Sequence, residues 1–167
     1  MLALFLVLLL AACSPGLNWR QVRPETASLS LLLPCKPDRA QKLVPLGGRS
    51  TTLAMMGCEA EGATFALAVA DIGDAAQAKQ VLAQWQALTL SNMRAGAPVQ
   101  QPAKVRGAAD EPPPVRVSAQ GQLADGRSVQ GQALYFSRGS QLFQAVIYAP
   151  RITPEAADTF FGSLQFE

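Results

Sequence analysis

The 167-residue sequence contains no histidine, only three cysteines, 7% aromatic residues and 16% charged residues. The missing histidine removes Ser-His and Cys-His nucleophile pairs, histidine-containing zinc sites and the commonest general base near neutral pH. Fourteen Lys and Arg against twelve Asp and Glu leave a net charge of +2. That is too mild for a protein that binds nucleic acid by neutralising phosphates, so no nucleic-acid partner is expected. No cofactor motif and no metal-ligand spacing stands out either, and catalytic residues, cofactors and metals are all expected to be absent. The length fits one domain able to bury a core without a metal or a dense disulfide framework.

What the sequence does have is a sharp beginning. Leu2 to Ala12 is an unbroken apolar run that ends at Cys13, and Ser14-Pro15-Gly16 follows. A spanning helix needs about 20 apolar residues, whereas the apolar part of a secretory signal needs roughly 7 to 15 and ends in small residues. The run fits the second description. Leu10-Ala11-Ala12-Cys13 resembles the lipobox of bacterial lipoproteins. That resemblance implies a signal peptide over residues 1–12, diacylglycerol on the Cys13 thiol, acylation of the new amine, and a membrane anchor of three chains. Each buried methylene contributes about 0.8 kcal/mol, so several chains hold far more firmly than one. Ser14 rather than Asp after the cysteine implies, by the same resemblance, the outer membrane in preference to the inner one. Met1 to Phe5 carry no Lys or Arg, which departs from the signal pattern and leaves a start upstream of Met1 open. The competing readings of the run are a short buried helix ending in an ordinary cysteine, or a longer uncleaved anchor. Residues 13–18 are read as lipidated cysteine and tether, and 19–167 as one α+β domain. The tether from Ser14 to Asn18 reaches less than about 20 Å, which keeps the domain close to its membrane.

An exported chain enters an oxidising compartment, where Cys35 and Cys58 are expected to form a disulfide. Both follow strand-like runs, Ser28 to Leu33 and Ser50 to Met56. If Ala40 to Leu46 is the middle strand of a meander, both cysteines lie past the same end of one sheet, with their loops folded over that strand. Two free buried thiols and a redox pair are the alternatives, the latter without the C-x-x-C spacing.

Further along, Ala63 to Ile72 reads as a strand covered on both faces. Phe65, Leu67 and Val69 point one way, and Ala66, Ala68 and Ala70 form a smaller face suited to a close-packed helix. That helix is expected from the cap Asp74 onward, with Ala78, Val81, Leu82, Trp85, Leu88 and Met93 on its apolar stripe and Arg94, Gly96 and Pro98 closing it. Lys42 to Val44 precede a turn at Pro45 to Gly48, Val99 to Arg106 is a candidate strand, and Gly107 to Pro114 a loop. Gln130 to Ser137 and Gln141 to Ala149 make a hairpin. Thr153 caps a second helix with Pro154 at its first position and Glu155 beside the positive end of its dipole, and Ser163 to Phe166 is read as an edge strand.

This order resembles the PsbP-like fold, an antiparallel sheet sandwiched by two helices. The matching pieces are Ser30-Leu31-Leu32-Leu33-Pro34-Cys35-Lys36-Pro37, the hairpin Leu134-Tyr135-Phe136 to Leu142-Phe143-Gln144, and Phe160-Phe161-Gly162-Ser163-Leu164-Gln165-Phe166. The whole is also similar to uncharacterised proteobacterial lipoproteins. The resemblance implies docking or assembly modules and supplies no catalytic residue. Three functions are therefore weighed. The first is a non-catalytic binding or assembly module of the envelope. Residues 20–49, with a charge balance of +4, would there face an acidic envelope protein or lipid headgroups. The second is a carrier sheltering a small apolar ligand between sheet and helix, which requires a cavity of a few hundred Å³. The third is a carboxylate-based cell-wall glycan hydrolase using Asp71 with Asp74 or Asp110 with Glu111, which must face each other across a cleft at about 5 to 10 Å.

Overall fold

The computed structural model describes residues 16–167, so Cys13 and the expected signal peptide lie outside the described residues. Seven strands form the larger sheet: β3 (Asp38–Leu46), β4 (Arg49–Ala60), β5 (Ala63–Asp71), β6 (Val99–Pro102), β7 (Val115–Gln122), β8 (Ser128–Arg138) and β9 (Gln141–Ala149). They pair antiparallel in the order β3-β4-β5-β9-β8-β7-β6. A smaller sheet joins β1 (Arg20–Val22), β2 (Leu29–Leu33) and β10 (Gln165–Phe166) in the order β1-β2-β10. Among the described residues two α-helices accompany the sheets: α1 (Ala78–Asn92) and α2 (Pro154–Gly162). This is an α+β fold with antiparallel sheets.

The alternation in β5 decides which layer goes where. Phe65, Leu67 and Val69 face one buried cluster, with Phe143 and Ile147 of β9, Phe136 of β8, Leu29, Leu31 and Leu33 of β2, and Phe160 and Phe161 of α2. Ala68 and Ala70 face the other, with Leu142 and Val146 of β9, Tyr135 of β8, and Val81, Leu82 and Trp85 of α1. The large sheet thus separates two apolar clusters. α1 covers one face; α2 and the small sheet cover the other.

Local signals place both helices. Asp74 accepts from the Ala76 backbone N–H at 2.9 Å and from the Gln77 side-chain amide at 3.0 Å, starting a 3₁₀ turn (Ala75–Gln77) that runs into α1. Thr153 accepts from the Ala156 N–H at 3.3 Å, and Pro154, with no N–H to leave unpaired, opens α2. The expected α1 stripe fails at Leu88, which is 45% exposed and not buried. The turn expected over Pro45 to Gly48 narrows to Gly47 and Gly48, whose φ of 63° and 74° suit glycine. Pro45 stays in β3, an edge strand where a missing N–H is tolerated. The strand foreseen from Val99 to Arg106 stops at Pro102.

Cys35 and Cys58 are joined, with Cα atoms 5.9 Å apart. The route differs from the expected one. β2 is not part of a meander with β3 and β4; it pairs with β1 and β10 in the small sheet. Cys58 sits within β4 opposite Phe65, hence on the face turned toward the small sheet. The chain changes layers across Pro34 to Pro37, so the bridge ties one layer to the next instead of closing loops at the end of one sheet.

Candidate binding groove

Helix α1 crosses its sheet obliquely. At its middle, Gln84 accepts from the Gly47 N–H at 3.1 Å, at the β3-β4 turn. Beyond its end, the Met93 carbonyl accepts from the Gln122 N–H at 2.7 Å, and the Gly96 N–H donates to Gln120 at 3.0 Å, both on β7. The helix therefore passes from one side of the sheet to the other and leaves a wedge of β3, β4, β5 and β9 uncovered.

That wedge is a groove of about 740 Å³. Its floor is Met55, Ala66, Ala68 and Val146; α1 contributes Trp85 and Leu88; Leu123 and Tyr148 lie at one end, and Asp38 and Lys42 on the β3 side. Alanine at 66 and 68 keeps the floor low, and the exposed Leu88 borders the opening. A second hollow, about 250 Å³, lies on the opposite face between Pro24 to Thr26 and the strands β3 and β4.

The floor of the groove is apolar, its borders carry Asp38, Arg39, Lys42, Asn92 and Gln122, and one hydrogen-bonded cluster lies at its base. Gln144, on β9, donates through Nε2 to Thr89 Oγ1 at 2.8 Å and to Tyr135 Oη at 2.9 Å. Burial raises the Tyr135 phenol above its ordinary value, opposed by its hydrogen bonds with Thr89 and Gln144. Burial also pushes Tyr148 up to about 12, with the charge of Tyr135 adding to it. Both phenols are thereby held neutral, as hydrogen-bonding groups and not bases, through the ordinary pH range.

The other candidate residues fall elsewhere. Asp71 accepts from the Gly73 N–H at 2.9 Å and Asp74 caps the 3₁₀ turn; Asp110 and Glu111 are exposed in the loop before β7. Neither acidic pair lines the groove. Among the described residues no group of three or more His, Cys, Asp or Glu is placed to hold a metal ion. The basic residues of the 20–49 stretch are dispersed. Lys42 shares the α1 face with Leu53, and Arg39 shares the opposite one with Met56. Arg23 pairs with Glu167, Arg39 donates to the Arg23 carbonyl at 3.1 Å, and Arg49 donates to the Ile72 carbonyl. The sequence reading set Ala66, Ala68 and Ala70 against a close-packed helix and raised a cavity there only as what a carrier would require. The groove itself was missed, because Leu88 was expected on the buried stripe and is exposed.

No protein-family model matches the chain, and no curated protein matches it. Among solved structures, it is similar to a protein of unknown function, PA94 from Pseudomonas aeruginosa, at 16% identity over 83% of this chain and 85% of that one, with a TM-score of 0.38.

Proposed function

We propose that this protein is a lipid-anchored lipoprotein of the bacterial envelope, carried on Cys13 at the periplasmic face of the outer membrane, whose PsbP-like domain works by binding. The binding site is the groove beside α1, and its ligand has an apolar body. The observation that supports binding is the groove: about 740 Å³, within the roughly 300 to 1,000 Å³ typical of ligand pockets, with an apolar floor and polar groups along its borders and base. Envelope assembly by docking on the same surface is the broader form of the reading.

Two measurements test it. Intact mass and membrane fractionation of the native protein and of Cys13→Ser are expected to show acylation and membrane retention in the first only; an unmodified thiol in the native protein removes the anchor. Anilinonaphthalene sulfonate is expected to bind saturably with a change in tryptophan emission, since Trp85 lines the groove. Unsaturable, weak uptake, unaltered by substitutions in the groove, removes the site.

A further inference from the structure

We infer that the groove takes the acyl chain of a single-chain membrane lipid, a lysophospholipid, drawn from the bilayer that holds Cys13. The inference rests on the reading above and adds the ligand class and the direction of entry.

The first argument is shape. The groove is lined along β3 from Asp38 to Leu46, a strand length on the order of 25 Å. A trough of that length with a floor of Met55, Ala66, Ala68 and Val146 suits a linear hydrocarbon better than a compact ring system. The polar lining residues are Asp38, Arg39 and Lys42 along β3, Asn92, Gln122 and Tyr148 toward one end, and Thr89 and Gln144 at the base, where Gln144 Nε2 is already engaged by Thr89 and Tyr135. The floor between them, Met55, Ala66, Ala68 and Val146, is apolar. A methylene chain needs no partner along that floor.

The second argument is position. Gly16, the first described residue, lies against the Glu61 side chain at the β4-β5 turn. Cys13 is three residues earlier and so within about 10 Å of that point. The same end of the sheet carries one end of the groove. Ala66 is three residues from the start of β5, Tyr148 pairs with Thr64, and Asp38 pairs with Gly57. Leu123 and Ala124, in the β7-β8 connection, line the groove at that end too. A short tether leaving this end brings the groove's mouth to the headgroup layer. The chain then enters by its tail and leaves its phosphate at the surface.

The test uses the full chain on vesicles of phosphatidylethanolamine and phosphatidylglycerol containing a lysophosphatidylethanolamine with a photoactivatable group at its chain end. Illumination is expected to label peptides containing Met55, Ala66, Leu88 or Val146. Ala68→Leu, which fills the floor, and Leu88→Glu, at an exposed position that does not disturb the core, are each expected to lower labelling about tenfold, the equivalent of roughly two methylenes denied burial. Labelling scattered over the surface, or unchanged in both variants, overturns the inference. So does a concentration-dependent dimer that hides the groove. If the dye still binds in a manner abolished by Leu88→Glu while the lysolipid leaves no label there, the acyl assignment falls and the ligand site stands; if neither binds, both fall. Groove labelling that persists in Cys13→Ser supports the ligand assignment independently of the anchor.

Discussion

Gln144 on β9 donates its side-chain amide to Thr89 on α1 at 2.8 Å, across the seam between sheet and helix. The Thr89 hydroxyl has one proton, and it goes to the Trp85 carbonyl at 3.1 Å. Toward Gln144 the oxygen can only accept, which fixes the amide with its nitrogen inward, where it also meets Tyr135 at 2.9 Å. Thr89→Val keeps the shape and removes one acceptor, and is expected to cost about 1 kcal/mol. Gln144→Leu leaves both hydroxyls without their donor and is expected to cost about 1 to 3 kcal/mol. Urea unfolding at neutral pH separates the two. Equal midpoints for all three proteins would mean the seam is held by packing alone.

The bridge between Cys35 and Cys58 closes a stretch with a sequence separation of 23 and joins the small sheet to β4. In the chain-entropy account such a loop contributes on the order of 3 kcal/mol. Reduction, or the double change Cys35→Ala and Cys58→Ala, is expected to lower Tm by about 6 to 12 °C for a domain of this size. Thermal unfolding with and without dithiothreitol reads it, and a shift under 2 °C, roughly, would show that the layers hold together without the bond.

Alkaline pH should weaken the fold through its tyrosines. Tyr148 titrates at about 12 when folded, chiefly because it is buried, against an ordinary value of 10.0. Between these values the unfolded chain has released a proton that the native state keeps, so rising pH favours unfolding. The contribution is intact below pH 10 and is lost as pH climbs toward 12, by about 2 kcal/mol. Tyr148→Phe is expected to be steadier over that window. Because the sequence has only two tyrosines and Tyr135 is also raised, native protein should show little phenolate absorbance at pH 10.5, roughly, and unfolded protein should show much more.

The pattern of β5 made both layers readable from the residues. Phe65, Leu67 and Val69 demanded bulk on one side, and the alanines allowed a helix on the other. Asp74, Thr153 and Pro154 made the helix starts equally plain, because caps act within a single turn. The crossing angle of α1 was not readable. It depends on where the helix is fastened, through Gln84 to Gly47 at its middle and to Gln120 and Gln122 just past its end, contacts distant in sequence with no periodicity of their own. The groove follows from that angle, so neither its existence nor its walls could be read from the residues; the alanine face suited a close-packed helix equally well. The disulfide pair was foreseen, but its path was misplaced. Leu29 to Leu33 alternates as well in a separate sheet as in the large one, and no local feature tells β2 which partner to choose.

The angle of α1 can be challenged directly at two glycines. A Cβ on Gly121 would stand 2.9 Å from the Met93 Cβ and closer still to the Met93 carbonyl oxygen, which is backbone and accepts from Gln122. On Gly131 it would meet the end of the Met93 side chain, Sδ at 2.8 Å, and Tyr148 at 3.4 Å. A thioether end can swing aside, whereas a carbonyl at the foot of a helix can move only with the helix. Gly121→Ala is therefore expected to cost about 1 to 3 kcal/mol, and Gly131→Ala less than about 1 kcal/mol. Because a displaced helix end opens or shuts the wedge beneath it, Gly121→Ala should also change dye binding while Gly131→Ala leaves it nearly intact. Equal losses at both positions in urea unfolding, with equal dye affinity, would mean that the end of α1 is not fastened at Gly121 and that something else sets the width of the groove.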